Sequence, residues 1–143
     1  MPATILIIDD DELFSNTVSF VLEQGEHEVL TASSGAEGIE IARERRPDLV
    51  FCDVHMRQGH GYATAQALRD RPETAATPIV MMTGNASPFG ESRSRSSGAD
   101  YYLAKPFSVE ELTDIVDRAL AAKGDGAQRS PHVIFPTAPT RVS

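Results

Sequence analysis

Four apolar residues, Ile5–Ile8, run straight into Asp9, Asp10, Asp11 and Glu12. An apolar run that closes on charge needs a partner for that charge. The pattern returns along the chain: PDLVFCD closes on Asp53, TPIVMMT on Thr83 and YYLAK on Lys105. These runs, with His27–Ala32, give five strand candidates: Thr4–Ile8, His27–Ala32, Leu49–Asp53, Ile79–Thr83 and Tyr101–Ala104. Several are apolar throughout rather than alternating, as parallel strands covered on both faces are.

Helix-period segments separate the strands. Phe14, Val18, Val21 and Leu22 share one face, and Gly25 ends that helix. A second helix runs from about Ser34 to Arg45, before Pro47, and a third from about Tyr62 to Asp70, before Pro72. The last is the cleanest, with Leu112, Ile115, Val116, Ala119 and Leu120 on one stripe and Ser108 with Glu111 as a capping box. The fourth, SPFGESRSRSSG, is rich in serine and glycine, so a short, irregular or mobile segment is expected. Five β–α units imply an α/β fold: a doubly wound, five-stranded parallel sheet of flavodoxin-like (βα)5 type, strand order 2-1-3-4-5.

The chain of 143 residues suits one domain, read as residues 1–123, with GDGAQRSPHVIFPTAPTRVS at 124–143 as a tail or linker. A net charge of −8 argues against direct nucleic-acid or anionic-membrane binding. One cysteine, no long apolar span and no basic leader fit a cytoplasmic protein.

In such a sheet the strands' carboxyl ends share one edge, and chemistry gathers where the strand order reverses. Asp9, Asp10 and Asp53 would then be neighbours. Two like charges about 4 Å apart repel by roughly 4 kcal/mol at an effective dielectric of 20. Three such carboxylates bind a cation or raise a pKa. Oxygen-only ligands with room for water suit Mg²⁺. Lys105 and the Thr83 hydroxyl beside them complete a place to hold a phosphoryl group on a carboxylate. Asp11 reads as a helix N-cap rather than a ligand.

These residues carry a resemblance. ILIIDDDELF, PDLVFCDVHM, TPIVMMTG and GADYYLAKPF, in this order and spacing, make the chain similar to response-regulator receiver domains, the phosphoacceptor half of two-component signalling, over residues 3 to about 122. The strand order given above is itself a stock example of that family. The resemblance implies Asp53 as phosphoacceptor. It implies Mg²⁺, with Mn²⁺ as an alternative, held by Asp10, Asp53 and the His55 backbone carbonyl, with Asp9 acting through a water. Lys105 and Thr83 would bind the phosphoryl oxygens. Thr83 would move toward them and let Tyr102 turn inward as the switch, and Lys105–Pro106 would be cis. The implied partner is a sensor histidine kinase or phosphotransfer protein; a downstream protein target is unnamed, and a homodimer is compatible. Self-catalysed phosphoryl acceptance and slow autodephosphorylation would be the only catalysis, in a single-domain regulator or a receiver separated from its output domain.

One departure stands out: Arg57 sits four residues after the acceptor, where the family usually has proline. With His55 and Asn85 it is a candidate modulator of phosphate lifetime. Three other readings fit less well. A haloacid-dehalogenase-type phosphohydrolase shares the Asp9–Asp11 spacing, but Leu13 and the position of Gly124-Asp125-Gly126 disagree with it. A flavin binder would place its phosphate against three aspartates. A never-phosphorylated module usually lacks one key residue, and none is missing.

Overall fold

The computed structural model of the chain describes residues 2–57 and 60–124. Strands and helices alternate: β1 (Thr4–Ile8), α1 (Glu12–Gln24), β2 (Glu28–Ala32), α2 (Gly35–Arg45), β3 (Leu49–Asp53), α3 (Gly61–Arg69), β4 (Ile79–Thr83), α4 (Pro88–Ser96), β5 (Tyr101–Ala104) and α5 (Val109–Gly124). The five strands are parallel, in the order β2-β1-β3-β4-β5. Both the fold class and the strand order match the expectation.

Pleating splits the apolar residues of the strands between two cores. Leu6, Ile8, Val50, Cys52, Ile79, Met81 and Tyr102 pack on one side with Ala42 of α2 and Ala65 and Leu68 of α3. Ile5, Ile7, Leu49, Phe51, Val80, Met82 and Leu103 pack on the other with Val18 and Leu22 of α1 and Leu112, Ile115, Val116 and Ala119 of α5. Full burial of β3 and β4 on both faces explains why their sequences show no alternation. Edge strand β2 is largely half-exposed and begins at Glu28 rather than His27. His27 instead accepts the Ala3 N–H on Nδ1 at 3.1 Å.

Capping signals were legible. The Asp11 side chain accepts from Phe14 N at the start of α1, and Ser34 from Glu37 N at the start of α2. Ser108 and Glu111 form the reciprocal box, at 2.8 and 3.0 Å. The fourth helix is short, as expected, but its irregularity is a correction: α4 is a regular nine-residue α-helix. Ser87 caps it through the Gly90 N–H at 3.0 Å, and Pro88 sits in the first turn, where its missing N–H is tolerated. Its small residues Gly90 and Ser94 are buried and let the helix lie close to the sheet. Capping and close packing here override intrinsic propensity. The 124–143 tail lies outside the described residues beyond Gly124, where α5 ends. Among the described residues no helix is long and apolar enough to cross a membrane.

Candidate functional site

Strand register assembles the site. Ile8 pairs with Cys52, so Asp9 and Asp53 follow at the same level on adjacent strands. Asp53 pairs with Met82, placing Thr83 one step beyond it on β4, and Thr83 pairs with Ala104, one residue before Lys105. Main-chain bonds carry the pairing past the strand ends: Asp9 N to Ala32 O at 3.0 Å, Val54 N to Met82 O at 2.8 Å and Lys105 N to Thr83 O at 2.7 Å.

Three strand ends thereby deliver their charges to one point. One carboxylate oxygen from each of Asp9, Asp10 and Asp53 lies within 4.8 Å of the others. The Lys105 ammonium bridges two of these groups, 2.9 Å from Asp9 Oδ2 and 3.1 Å from Asp53 Oδ1. The second Asp9 oxygen accepts the Asp11 N–H at 2.9 Å. Lys105 Nζ also lies 4.1 Å from the Phe14 ring centroid, and Phe107 meets Phe14 edge-on at 5.7 Å. This cation–π seat fixes the ammonium from below.

One lysine does not balance three carboxylates. Burial and repulsion from Asp9 push the Asp53 carboxyl up to about 6, against the pull of Lys105. Burial works to lower the Lys105 pKa, yet its bond to Asp9 and the charge of Asp53 carry it above the usual lysine value. Neighbouring Cys52 is raised far out of range, by burial and then by Asp53, so it stays a neutral thiol. An oxygen cluster that disfavours the charge of one of its own carboxylates fits a hard divalent cation, which would remove that repulsion.

The loop after Asp53 closes over one side. His55 and His60 form an isolated antiparallel bridge, and Gly61 N bonds Val54 O at 2.9 Å. A Cβ at Gly61 would run into the Asp53 carbonyl, so only glycine lets the turn pass so close. Arg57 reaches Asp10 twice, its N–H at 2.8 Å and its Nε at 3.5 Å from Oδ2. Asp10, Asp11, His55, Met56 and Arg57 line an open depression of about 500 Å³.

The structure thus gathers Asp9, Asp10, Asp53 and Lys105, with Arg57 on the rim. Thr83 is buried at the end of β4, its Oγ1 accepting the Asn85 N–H at 3.0 Å. His55 and Asn85 are exposed. Lys105–Pro106 is cis, as expected. The Tyr102 side chain is buried, packed among the core residues on the α2 and α3 side of the sheet. Its hydroxyl accepts the Ser87 N–H at 3.3 Å and abuts Gly90, where any Cβ would collide with it. Gly61 and Gly90 are not singled out by the sequence, and Phe14 only as part of a helix stripe. Phe14 reads simply as core, and an isolated glycine signals close approach without naming what approaches.

Comparison with known proteins settles the family. The family model described as "Response regulator receiver domain" matches residues 5–117. The chain belongs to that family. It is 39% identical to the DNA-binding dual master transcriptional regulator RpaA of Synechocystis over 85% of this chain, and spans half the length of that protein. It is 32% identical to protein PilH of Pseudomonas aeruginosa, covering 83% of this chain and 98% of PilH. Among solved structures, the Vibrio cholerae chemotaxis protein CheY4 superposes with a TM-score of 0.80 at 32% identity, covering 84% of this receiver and all of CheY4. The chain is accordingly a two-component signalling receiver with an acidic pocket suited to Mg²⁺.

Proposed function

We propose that this receiver takes a phosphoryl group onto Asp53 from the phosphohistidine of a sensor kinase or phosphotransfer protein, in a Mg²⁺-dependent reaction, and so switches a protein-binding surface. One observation carries the reading: a single ammonium shared by Asp9 and Asp53, inside a cluster of three carboxylates. Asp10 and Asp53 would hold the ion through carboxylate oxygens, the His55 carbonyl would add a ligand, and Asp9 would act through water. Bound Mg²⁺, or Mn²⁺ in its place, supplies the charge that neutralises phosphoryl oxygens.

The chain's own groups do the rest. An Asp53 oxygen attacks phosphorus in line, the P–N bond breaks, and its electron pair leaves with the donor imidazole. Lys105, already 3.1 Å from Asp53, transfers its hydrogen bond to a phosphoryl oxygen. Thr83, whose Oγ1 accepts the Asn85 N–H, turns its own O–H to donate to a phosphoryl oxygen, and the loop to Ser87 and Tyr102 follows. His55, Asn85 and Arg57, all exposed, would tune the lifetime of the acyl phosphate. Residues 1–123 form the working unit, in the cytoplasm, alone or joined to an output domain.

Incubation with acetyl phosphate tests this directly. Wild type with Mg²⁺ gains a phosphoryl group, read on a phosphate-affinity gel and by intact mass. Asp53→Asn and wild type in EDTA gain none. Equal labelling of Asp53→Asn would move the acceptor elsewhere and end the proposal.

A further inference from the structure

The three clustered carboxylates do not share their cations equally. Asp9 and Asp53 divide Lys105, which is held in place by Phe14. Asp10 draws on Arg57 instead, and the two contacts converge on the same oxygen, Oδ2. Their character differs. The main-chain N–H at 2.8 Å pins residue 57 beside Asp10, whereas the guanidinium at 3.5 Å hangs in solvent, its side chain 83% exposed against 20% for Asp10. A charge so tethered and so exposed can leave and return at small cost.

We propose that Arg57 is a tethered counter-ion for Asp10 that competes with the divalent cation. Ion entry and release of the guanidinium are then one exchange. This rests on the reading of Asp10 as a metal ligand and adds what sets the strength of that site. The depression lined by Asp10, Asp11, His55, Met56 and Arg57 gives a hydrated ion room to arrive and the guanidinium room to swing aside. Mg²⁺ keeps several waters when bound, so it meets the rim residues before it is fully seated. Arg57 is thus a positioning residue for Asp10. It weakens divalent binding and makes that weakening depend on ionic strength, because its side chain lies in water.

Calorimetric Mg²⁺ titration of the full chain, at about 50 mM and about 500 mM KCl, tests the exchange. Arg57→Ala removes the guanidinium and keeps the N–H. At low salt it binds Mg²⁺ roughly two- to five-fold tighter than wild type, as loss of one exposed competing charge implies. At high salt that gain falls toward unity. Arg57→Lys keeps the charge and stays within about two-fold of wild type. Arg57→Pro also removes the N–H bond to Oδ2 and binds at least as tightly as Arg57→Ala. Circular dichroism melts confirm that each variant is folded. Equal or weaker binding by Arg57→Ala at low salt, a gain that persists at high salt, or Arg57→Lys behaving like Arg57→Ala each overturns the exchange while leaving Asp10 as a ligand. No Mg²⁺ heat from any folded protein removes the metal site itself, and the exchange with it.

Discussion

Asp100 and Asp53 stand at opposite ends of one sheet and are equally hidden, 7% and 6% exposed. Asp100 precedes β5, and its Oδ2 receives Arg69 Nη2 at 2.6 Å and the Ile79 N–H at 2.9 Å. Arg69 turns its other donors onto the carbonyls of Gly98, Thr77 and Ala75, at 2.9, 2.6 and 3.1 Å. Here one negative charge meets one positive charge inside a ring of hydrogen bonds. Asp53 ends β3 among two further carboxylates, with one ammonium to share. Burial is the same and the charge balance is opposite. A buried carboxylate is therefore no sign of chemistry by itself; one whose surroundings disfavour its charge is.

The sharpest way to break this contrast is at the balanced end. Arg69→Ala removes the cation facing Asp100 and the donors facing three carbonyls, so it should destabilise the fold by about 3–5 kcal/mol, as breaking a buried pair does. Urea denaturation reads the loss. Mg²⁺ affinity of the protein that remains folded should be unchanged, because the clamp lies at the other edge of the sheet. A loss below about 1 kcal/mol would make the clamp an ordinary surface pair.

The unbalanced end should behave in the opposite sense. The folded pKa of Asp53 is raised from 3.8 to about 6, so the folded state binds this proton more tightly than the unfolded chain. The stabilisation from that proton is complete below the unfolded pKa and is lost as pH rises through about 6. Two pKa units correspond to about 2–3 kcal/mol. In EDTA, Asp53→Asn should therefore exceed wild type in stability at pH 7.5, and the difference should shrink on descent to pH 4. Paired urea curves across that range cancel the other carboxylates. Parallel wild-type and variant profiles would mean that the aspartate cluster is not strained.

The two ends also differed in how far sequence revealed them. Parallel strands must all finish on one edge, so Asp9, Asp53, Thr83 and Lys105 could be brought together from order and spacing alone. The clamp has no such rule. Arg69 closes a helix and Asp100 follows a glycine turn, and only the tertiary path of α3 and β5 makes them meet. Phe14 fits a helix stripe equally well as core or as a seat for Lys105, since period does not report what lies above a ring. Arg57 was visible as a departure, while its bond to Asp10 depends on how the loop to Gly61 folds back. For α4, serine and glycine content spoke against regular helix, and the structure uses the same small residues to bring the helix close.

That closeness supports the smallest of these effects. Gly90 leaves the space that the Tyr102 hydroxyl fills, and Ser87 N–H bonds it there at 3.3 Å. Burial raises the Tyr102 pKa, so the phenol stays neutral in this seat. Gly90→Ala gains helix propensity of roughly 1 kcal/mol but sets a methyl against the phenol oxygen, and overpacking costs about 1–3 kcal/mol. The two nearly offset, so net stability should change by less than about 2 kcal/mol. The ring should respond more than the stability does. Tyr102 should move outward, seen as greater iodide quenching of tyrosine fluorescence and as shifted Ser87 and Tyr102 amide resonances, while the Mg²⁺ titration stays as in wild type. An unmoved ring with a shifted Mg²⁺ affinity would mean that Gly90 acts through the loop to Thr83 rather than through Tyr102, and would join the site to α4 by a different route.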